Sequence, residues 1–445
     1  METLRHTNAR FQPSLRKLIR RSAFDPDIER SVAAILKEVR EGGDEALAAC
    51  ALKYDRVELE PEQFAVTPNE VAAAEKLVPP KVRKAIRTAH RQIRDFASKQ
   101  RPRSWFYAPR PGVMLGEQFA PIGRVACYVP GGTAPLVSTV LHTVTLAATA
   151  GVPEIVVTTP ARPDRTVHPA VLYAAACAGA TEIYRLGGVY AIAAFAYGTD
   201  SIRQVEKIVG PGNAYVTAAK RQVYGHVSID LVAGPSEVMI IADDTAKPEF
   251  IAADMLSQIE HGSGREQAVL VTPDDGLLKA VREELERQAA RRDRSACIRR
   301  CLEHGTFLVL VADLDMAVEL ANNYAPEHLE IMTVDPTAVA RQITAAGAIF
   351  LGPWTPEPVG DFVAGPSHVL PTGGSARLFS GLTVEHFFRR MSMISYQHSA
   401  LRREMAMIET FAEIEGLDAH RASVTVREGV DEGETHSKVR RPSWD

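Results

Sequence analysis

Short runs rich in valine and isoleucine alternate with alanine-rich helical segments over most of this chain. One series is VACYVP, EIVVTTP, EIYRL, EKIVG and VSIDLV, and a second is VMIIADD, AVLVTPD, TFLVLVAD, LEIMTV and AIFLGP. Strands that alternate with helices form βαβ units around a parallel sheet. The two series therefore predict an α/β protein with two doubly wound, Rossmann-like domains, one inserted in the other.

The order of the two series predicts how the chain divides. Amphipathic helices before Gln100 need a partner layer, and the second series is the candidate. The stretch HFFRRMSMISYQ and the stretch ALRREMAMIETFAEIEG both have a helical pattern. The predicted divisions are an N-terminal helical arm (1–22), a main α/β domain (23–127 with 237–382), an inserted α/β domain (128–236) and a small C-terminal helical segment (383–445, frayed from about 428).

Composition is that of an ordinary globular protein. Of the 445 residues, 46% are hydrophobic and 24% are charged, and 51 basic against 55 acidic residues give a net charge of −4. This balance predicts neither a nucleic-acid partner nor a membrane surface, and no apolar run approaches the length of a membrane span. Five cysteines indicate free thiols in a reducing compartment, so we expect a cytoplasmic protein.

Candidate metal ligands are scattered along the sequence. Gln258 and His261 lie three residues apart in DMLSQIEHG, so they share one helix face. Asp361 follows the last run of the second series, and open α/β sheets place ligands at the carboxyl ends of their strands. His420 has no local support. Imidazole, carboxylate and amide oxygen suit zinc, but each residue taken singly is better explained as solvent-facing surface.

Glu327 and His328, in NNYAPEHLE, form a candidate acid–base pair. A carboxylate that activates water beside a histidine that takes up a proton is common in enzymes. Neighbouring residues on a strand point in different directions, so the pair can serve one site only if the backbone turns there. Exposed Glu-His dipeptides are common. The pair alone therefore does not distinguish a catalytic acid–base pair from two surface residues.

Two glycine-rich corners lead from a strand into a helix. One holds Gly131 and Gly132, and the other holds Gly210, Gly212 and Asn213. Backbone N–H groups at such corners can bind a phosphate, although plain tight turns look similar. The absence of Walker A and HExxH motifs argues against a P-loop NTPase and against the commonest class of zinc protease.

Seven motifs in a fixed order resemble the histidinol dehydrogenase family. They are GRVACYVPGGTAPLVSTVL, GPGNAYVTAAKRQV, AGPSEVMIIAD, DMLSQIEHG, NNYAPEHLEI, VGDFVAGPSHVLPT and EGLDAH. The opening RSAFDPDIERSVAAILKEVREGGDEAL is similar too, so the resemblance covers roughly residues 20–427. Seven ordered motifs are far more specific than any one of them.

The resemblance implies an activity and a set of site residues. The family oxidises L-histidinol to L-histidine in two NAD-dependent steps through bound L-histidinaldehyde, with zinc, as a homodimer whose C-terminal segment completes the partner's site. Glu327 and His328 would be the catalytic acid/base pair, and the inserted domain would hold NAD. The implied zinc ligands are Gln258, His261, Asp361 and His420. The implied substrate contacts are Ser236, Gln258, His261, His328, Asp361, His368, Glu415 and His420, and the implied NAD contacts are Tyr128, Tyr190 and Asn213.

Tyr190 departs from the family pattern. It stands in GGVYAIAAFAYGT where the family usually has a glutamine that contacts NAD, which bears on the geometry of NAD binding. The departure keeps open a related zinc- and NAD-dependent dehydrogenase of another small polar alcohol, such as a sulfonated diol. A zinc hydrolase would not need the glycine-rich corners, and a non-catalytic binding protein would not need the Glu327–His328 pair.

Overall fold

The valine- and isoleucine-rich runs of both series fold as strands of parallel sheets, which confirms the predicted α/β class. The structure is a computed structural model, and it describes residues 1–21, 25–131, 134–232, 234–261, 264–292 and 295–428, without the side chains of 295–297. Three features of the sequence analysis lie outside these described residues: the start of the main domain at residue 23, Gly132, and the frayed tail after residue 428.

Strands and helices are numbered in chain order. The strands are β1 (Glu2–Arg5), β2 (Trp105–Arg110), β3 (Val113–Pro121), β4 (Arg124–Tyr128), β5 (Glu154–Thr158), β6 (Glu182–Tyr184), β7 (Lys207–Val209), β8 (Ser228–Ile229), β9 (Glu237–Ala242), β10 (Gln267–Thr272), β11 (Thr306–Leu310), β12 (His328–Met332), β13 (Ala348–Leu351) and β14 (Phe388–Tyr396). The helices are α1 (Phe11–Ile19), α2 (Pro26–Cys50), α3 (Pro68–Leu77), α4 (Pro80–Ala97), α5 (Val137–Ala150), α6 (Pro169–Ala178), α7 (Gly188–Tyr197), α8 (Ala214–Val223), α9 (Pro248–Ile259), α10 (Asp275–Ala289), α11 (Ser295–His304), α12 (Leu314–Tyr324), α13 (Pro336–Ala340), α14 (Glu357–Phe362), α15 (His398–Ile414) and α16 (Asp418–Thr425).

The second series forms a large sheet with the strand order β1-β11-β10-β9-β12-β13, in which neighbouring strands are parallel. All six residues of β9 are buried. Val238 and Ile240 face the core with α9 and α10, whereas Met239 and Ile241 face the core with α1 and α12. The continuous apolar run therefore reflects a central strand with helices on both faces.

The N-terminal arm adds the outer strand of the large sheet. Glu2–Arg5 pairs in parallel with β11, with Glu2 opposite Phe307. The predicted helix follows as α1, and its Leu15 and Leu18 enter the core beside β11. The first residues are thus strand rather than helix, because the edge of β11 offers unpaired backbone groups to an extended segment.

The first series forms a small sheet with the order β6-β5-β4-β7-β8, also parallel. Helices α2, α3 and α4 pack against helices α5 to α8 of this sheet, although the sequence analysis assigned them to the second series. The stripe of Val32, Leu36 and Val39 on α2 shares a core with Phe195 and Ile208. The spacing predicted the stripe correctly but not the layer that covers it.

Helices α5, α6 and α7 are apolar on nearly every side, as is typical of helices inside a core. Helix α5 lies between α4 and the strands β4 and β5.

In the part of the chain that the structure describes, no helix combines the length and the apolar character needed to cross a membrane.

Residues Pro102–Pro121 and Phe388–Asp445 form a second unit, separate from the unit of Met1–Arg101 and Ile122–Phe387. Strand β14 pairs antiparallel with β3 over all nine of its residues, and β2 pairs with the other side of β3. The predicted helix is therefore wrong over Phe388–Tyr396. Its aromatic and aliphatic residues suit a strand when a partner strand is available. That pairing also removes 102–121 from the predicted main domain, whereas α15 and α16 are helical as expected.

The small sheet reverses its strand order between β4 and β7. Open α/β sheets bind ligands at such a point, at the carboxyl ends of the strands. Gly210 follows β7 with φ of +117°, and a Cβ there would lie 2.2 Å from the carbonyl oxygen of Tyr128. A glycine is required because two backbones approach closely at this corner.

Gly210→Ala should destabilise the protein more than the matched change Gly225→Ala. Gly225 also has a positive φ, +106°, but a Cβ there meets nothing within 4 Å. We expect Gly225→Ala to lower the free energy of unfolding by about 1 kcal/mol and Gly210→Ala by about 3 kcal/mol, because Tyr128 has to move. Urea unfolding measures both values, and equal losses would contradict a role for the close approach.

Candidate active site

The candidate catalytic residues meet at the amino ends of β9 and β12, which are paired neighbours. Glu237 and His328 begin these strands, and Ser236 and Glu327 directly precede them. The expectation that Asp361 acts at the carboxyl ends of the strands is wrong. Helix α14 carries Asp361 back to the amino edge, beside His328.

Glu327 and His328 both contact the backbone of Glu237. The Glu237 N–H donates to Glu327 Oε2 at 2.9 Å, and His328 Nδ1 lies 3.2 Å from the Glu237 carbonyl oxygen. Because a carbonyl oxygen can only accept, Nδ1 carries the proton and Nε2 keeps its lone pair. Ala325 ends α12 in a left-handed conformation, with φ of +52°, and Pro326 follows. This supplies the backbone turn that lets neighbouring side chains serve one site.

The side chain of Glu237 is held from the N-terminal segment. Arg21 forms an almost fully buried ion pair with the Glu237 carboxylate and stacks over the Tyr324 ring, 3.5 Å from its centroid. The N–H of Gly373 donates to the same carboxylate. Glu237 is therefore a fixed support for the acid–base pair.

Burial sets the protonation of the pair. Burial, reinforced by the charges of Asp361 and Glu357, raises the pKa of Glu327 well above its ordinary value. Burial lowers the pKa of His328 to about 4, and the charge of Asp361 opposes this only in part. His328 is therefore neutral near pH 7, and its free Nε2 can accept a proton.

Glu357 is a site residue that the sequence analysis missed. Its Oε1 lies 3.9 Å from His328 Nε2, and His328, Glu357 and Asp361 offer donor atoms within 4.8 Å of one another. Burial, together with the charge of Asp361, raises the pKa of Glu357 to about 9. Its position four residues before Asp361, on one face of α14, was the only sequence signal.

Gln258 and His261 lie at the end of α9. Gln258 is wholly buried, so a solvent-facing role does not explain it. His261 is exposed, and its Nδ1 lies 2.8 Å from the Gln258 carbonyl oxygen, which leaves Nε2 with a lone pair. The charge of His261 also acts on the pKa of His328 and of His368. Spacing predicted that these two residues share a helix face, and Gln258 Nε2 lies 3.4 Å from His261 Nδ1.

The donor atoms at this site fit a zinc ion. Gln258 Oε1, Glu357 Oε1 and His368 Nε2 are buried and make no hydrogen bond to a described residue, which is costly unless a ligand pairs with them. His368 Nδ1 lies 3.6 Å from Asp361 Oδ1. Imidazole nitrogens, carboxylates and an amide oxygen suit zinc. The backbone carbonyl that orients His261 is also typical of metal-binding histidines.

Three other predicted site residues are Ser236, Glu415 and His420. Ser236 is half-buried, and its carbonyl oxygen accepts from the Gln267 N–H at 3.1 Å. Glu415 follows α15 and His420 lies in α16, both exposed in the C-terminal unit. Their expected role in a partner's site stays a prediction.

The predicted NAD contacts Tyr128 and Asn213 lie at the carboxyl edge of the small sheet. The Tyr128 hydroxyl accepts from the Gly188 N–H at 3.2 Å, where α7 begins. Asn213 is exposed and caps α8, accepting from the N–H groups of Tyr215 and Val216. Two helix N-termini at one reversal point fit an anionic dinucleotide.

The side chain of Tyr190 is buried in a core. It is 1% exposed, and its hydroxyl donates to Asp55 and accepts from the Gly187 N–H at 3.2 Å. The side chain fixes the start of α7 from inside the core. A contribution of Tyr190 to cofactor binding would be indirect, through Gly187.

His142 is a second residue at this site that the sequence analysis missed. It lies on α5, and its ring stacks on His368 with centroids 4.5 Å apart. Its neighbours along α5 are buried and mostly apolar. The local pattern is therefore that of an ordinary core helix, without any signal of a site.

Comparison with known proteins identifies close relatives. The protein-family model described as histidinol dehydrogenase matches residues 18–428. Histidinol dehydrogenase from Heliobacterium mobile is 45% identical over 410 residues, which is 92% of this chain and 96% of that protein. Histidinol dehydrogenase from Methanothermobacter thermautotrophicus is 46% identical over 408 residues, which is 92% of this chain and 95% of that protein.

A solved structure agrees with these relatives. The crystal structure of histidinol dehydrogenase from Elizabethkingia anophelis matches with a TM-score of 0.90 and 34% identity, over 96% of this chain and 98% of that chain. Every candidate site residue lies within the matched part of the sequence.

Glu357→Gln should flatten the pH dependence of stability in metal-free protein. Between the ordinary glutamate pKa and about 9, folded Glu357 keeps a proton that the unfolded chain releases, so the free energy of unfolding falls as pH rises. With a chelator present, the variant should melt roughly 5 °C higher than the parent at pH 8 and equally at pH 4. The exposed Glu319→Gln is the control. An unchanged pH slope in Glu357→Gln would show that Glu357 is ionised in the fold.

Proposed function

This chain belongs to the histidinol dehydrogenase family, and we propose that it oxidises L-histidinol to L-histidine. The family's members are NAD-dependent oxidoreductases of histidine biosynthesis. The proposed reaction is zinc-dependent, removes four electrons in two steps and keeps L-histidinaldehyde bound between them. The observation that carries the proposal is the neutral His328, whose Nε2 lone pair faces a cluster of buried, unpaired donor atoms.

Zinc is the metal that we assign to the site. Gln258, His261 and Asp361 would hold it together with the partner's His420. The unpaired Gln258 Oε1 and the free Nε2 of His261 support this assignment. When bound, zinc would hold the imidazole and amine of the substrate, and its positive charge would lower the pKa of nearby carboxyls.

His328 would take the proton of the substrate hydroxyl in the first oxidation. Its Nδ1–H donates to the Glu237 carbonyl oxygen, which fixes the ring with Nε2 toward the site. Glu327 would act in the second oxidation by activating the water that adds to the aldehyde. Its Oε2 accepts from the Glu237 N–H, which leaves Oε1 for that water.

We place NAD at the carboxyl edge of the small sheet, beside Tyr128 and Asn213. When bound, NAD would accept one hydride equivalent in each oxidation. The N–H groups at the starts of α7 and α8 support this placement, because they favour the negative charge of a pyrophosphate.

We infer a homodimer in which the C-terminal unit completes the partner's site. Glu415 and His420 are exposed and available to a second chain. On α15, Met407, Phe411 and Ile414 recur at helical spacing and are 55%, 60% and 75% exposed. An exposed apolar stripe of this kind is typical of a helix that another chain covers.

The yield of NADH tests the proposed function. Purified protein with zinc, NAD and L-histidinol should form about two NADH per histidine. If L-histidinol gave no NADH while another small polar alcohol did, the related alcohol dehydrogenase would be the correct function. If neither L-histidinol nor another small polar alcohol gave NADH, a zinc hydrolase would be favoured over a dehydrogenase.

His328→Asn and Glu327→Gln should separate the two oxidations. His328→Asn should slow oxidation of L-histidinol by about a hundredfold or more, because the base is lost. Glu327→Gln should leave that step within a few fold and block oxidation of L-histidinaldehyde. Stopped-flow NADH formation from each compound measures the two steps separately.

The chain contains a matched control for this pair. Glu303 and His304 form a second Glu-His dipeptide, and both side chains are exposed. Glu303→Gln and His304→Asn should leave both oxidations unchanged. If His328→Asn and Glu327→Gln each slowed both steps to the same extent, the division of roles would be wrong.

Mixed dimers test the shared site. His328→Asn and His420→Asn should each be inactive alone, and His420→Asn should also lose zinc. Co-expressed, the two variants should recover about a quarter of wild-type activity, because half of the dimers are mixed and each mixed dimer has one intact site. If His420 served its own chain, no mixed dimer would contain an intact site, and no activity would return.

A further inference from the structure

His142 is a polar residue in an otherwise core-like stretch of α5. Its side chain is 0% exposed, and neither ring nitrogen makes a hydrogen bond to a described residue. A phenylalanine or methionine would fill the same space without burying unpaired polar atoms. The packing of α5 therefore does not explain a histidine at this position.

The ring of His142 lies against the candidate substrate site. It stacks on His368 with an interplanar angle of 29°. The Ser367 hydroxyl donates to the His142 carbonyl oxygen at 3.2 Å, so the segment of His368 is tied to α5. His368 Nε2 is buried and also lacks a hydrogen bond to any described residue. Two adjacent imidazoles thus carry unpaired nitrogens at one place.

The two ring nitrogens of His142 narrow the chemistry of a ligand, because both are buried and make no hydrogen bond to a described residue. A neutral imidazole offers one N–H donor and one lone pair. It suits a ligand group that both donates and accepts, such as an imidazole or a hydroxyl.

We propose that His142 contacts the substrate: it lies beside His368, and its ring hydrogen-bonds to a polar atom of L-histidinol. This inference rests on the proposed function and adds a residue from the layer of the small sheet to the substrate site. Stacking alone would need only an aromatic ring, whereas hydrogen bonding needs the nitrogens. A single substitution therefore distinguishes a stacking role of His142 from a hydrogen-bonding role.

His142→Phe keeps a ring against His368 and removes both nitrogens. At saturating zinc and NAD, we expect the KM for L-histidinol to rise about five- to tenfold, with kcat and the KM for NAD within about twofold. The Tm of the ligand-free protein should be unchanged or higher, because an unpaired polar group leaves the core. A KM for L-histidinol equal to that of the wild type overturns the proposal.

Two further variants keep the test decisive. His142→Gln retains a donor and an acceptor, so its KM for L-histidinol should lie close to the wild-type value. His142→Leu has neither, so its KM for L-histidinol should stay raised. If His142→Phe does not fold, an equal KM in the glutamine and leucine variants overturns the proposal. Thr143→Val is the control on the same helix, because the Thr143 hydroxyl donates to carbonyl oxygens of α5; its KM should match the wild type.

The outcomes separate this inference from the proposed function. A wild-type protein that forms no NADH from L-histidinol contradicts the proposed function itself. A wild-type protein that does so, beside a His142→Phe variant with the same KM, contradicts only the role of His142.

Discussion

The two peptide groups of Glu237 hold the catalytic pair. Its N–H fixes the Glu327 carboxylate, and its carbonyl oxygen fixes His328. Parallel pairing of β9 with β12 brings these residues together, and Arg21 locks the Glu237 side chain from the N-terminal segment. The site therefore depends on the assembled sheet rather than on any one motif. Strand β9 orients two side chains that lie at the start of its neighbour β12.

The site concentrates acidic groups in a buried space. Beside Glu327 and Glu357, burial raises the pKa of Glu330 well above its ordinary value and that of Asp254 to about 6. Glu330 Oε1 accepts from the Glu357 N–H at 2.8 Å, so these groups are linked. Such an arrangement is unfavourable for folding alone and is complementary to a divalent cation. A bound divalent cation would offset this cost.

Much of the fold could be predicted from local pattern. The alternation of strands and helices, the Asp25 cap of α2 and the helix ending near Gln258 each follow from spacing and residue type. The pairing of distant segments could not be predicted from local pattern. Residues of β14 form a strand because β3 lies beside them. Helix α2 packs on the small sheet because α7 and α8 cover its apolar stripe.

The same limit explains what was missed at the site. The ordered motifs pointed to Glu327, His328 and Asp361, whereas Glu357 had only its spacing from Asp361 as a signal and His142 had none. They become visible only through the 3.9 Å distance to His328 and the ring stack on His368. Tyr190 shows the converse, since a position expected to contact a cofactor holds a core side chain bonded to Asp55.

The N-terminal strand β1 has a consequence for the order of events during synthesis. Glu2 is made long before its partner Phe307, which follows the whole small sheet and strands β9 and β10 of the large sheet in the sequence. Contacts between residues so far apart in sequence close late. Arg21 follows β1 and α1 in the chain. We therefore expect its ion pair with Glu237 to form only when β1 pairs with the edge of the sheet. We therefore expect β1 to join its sheet late in folding, and the support that Arg21 gives to Glu237 to form at the same stage.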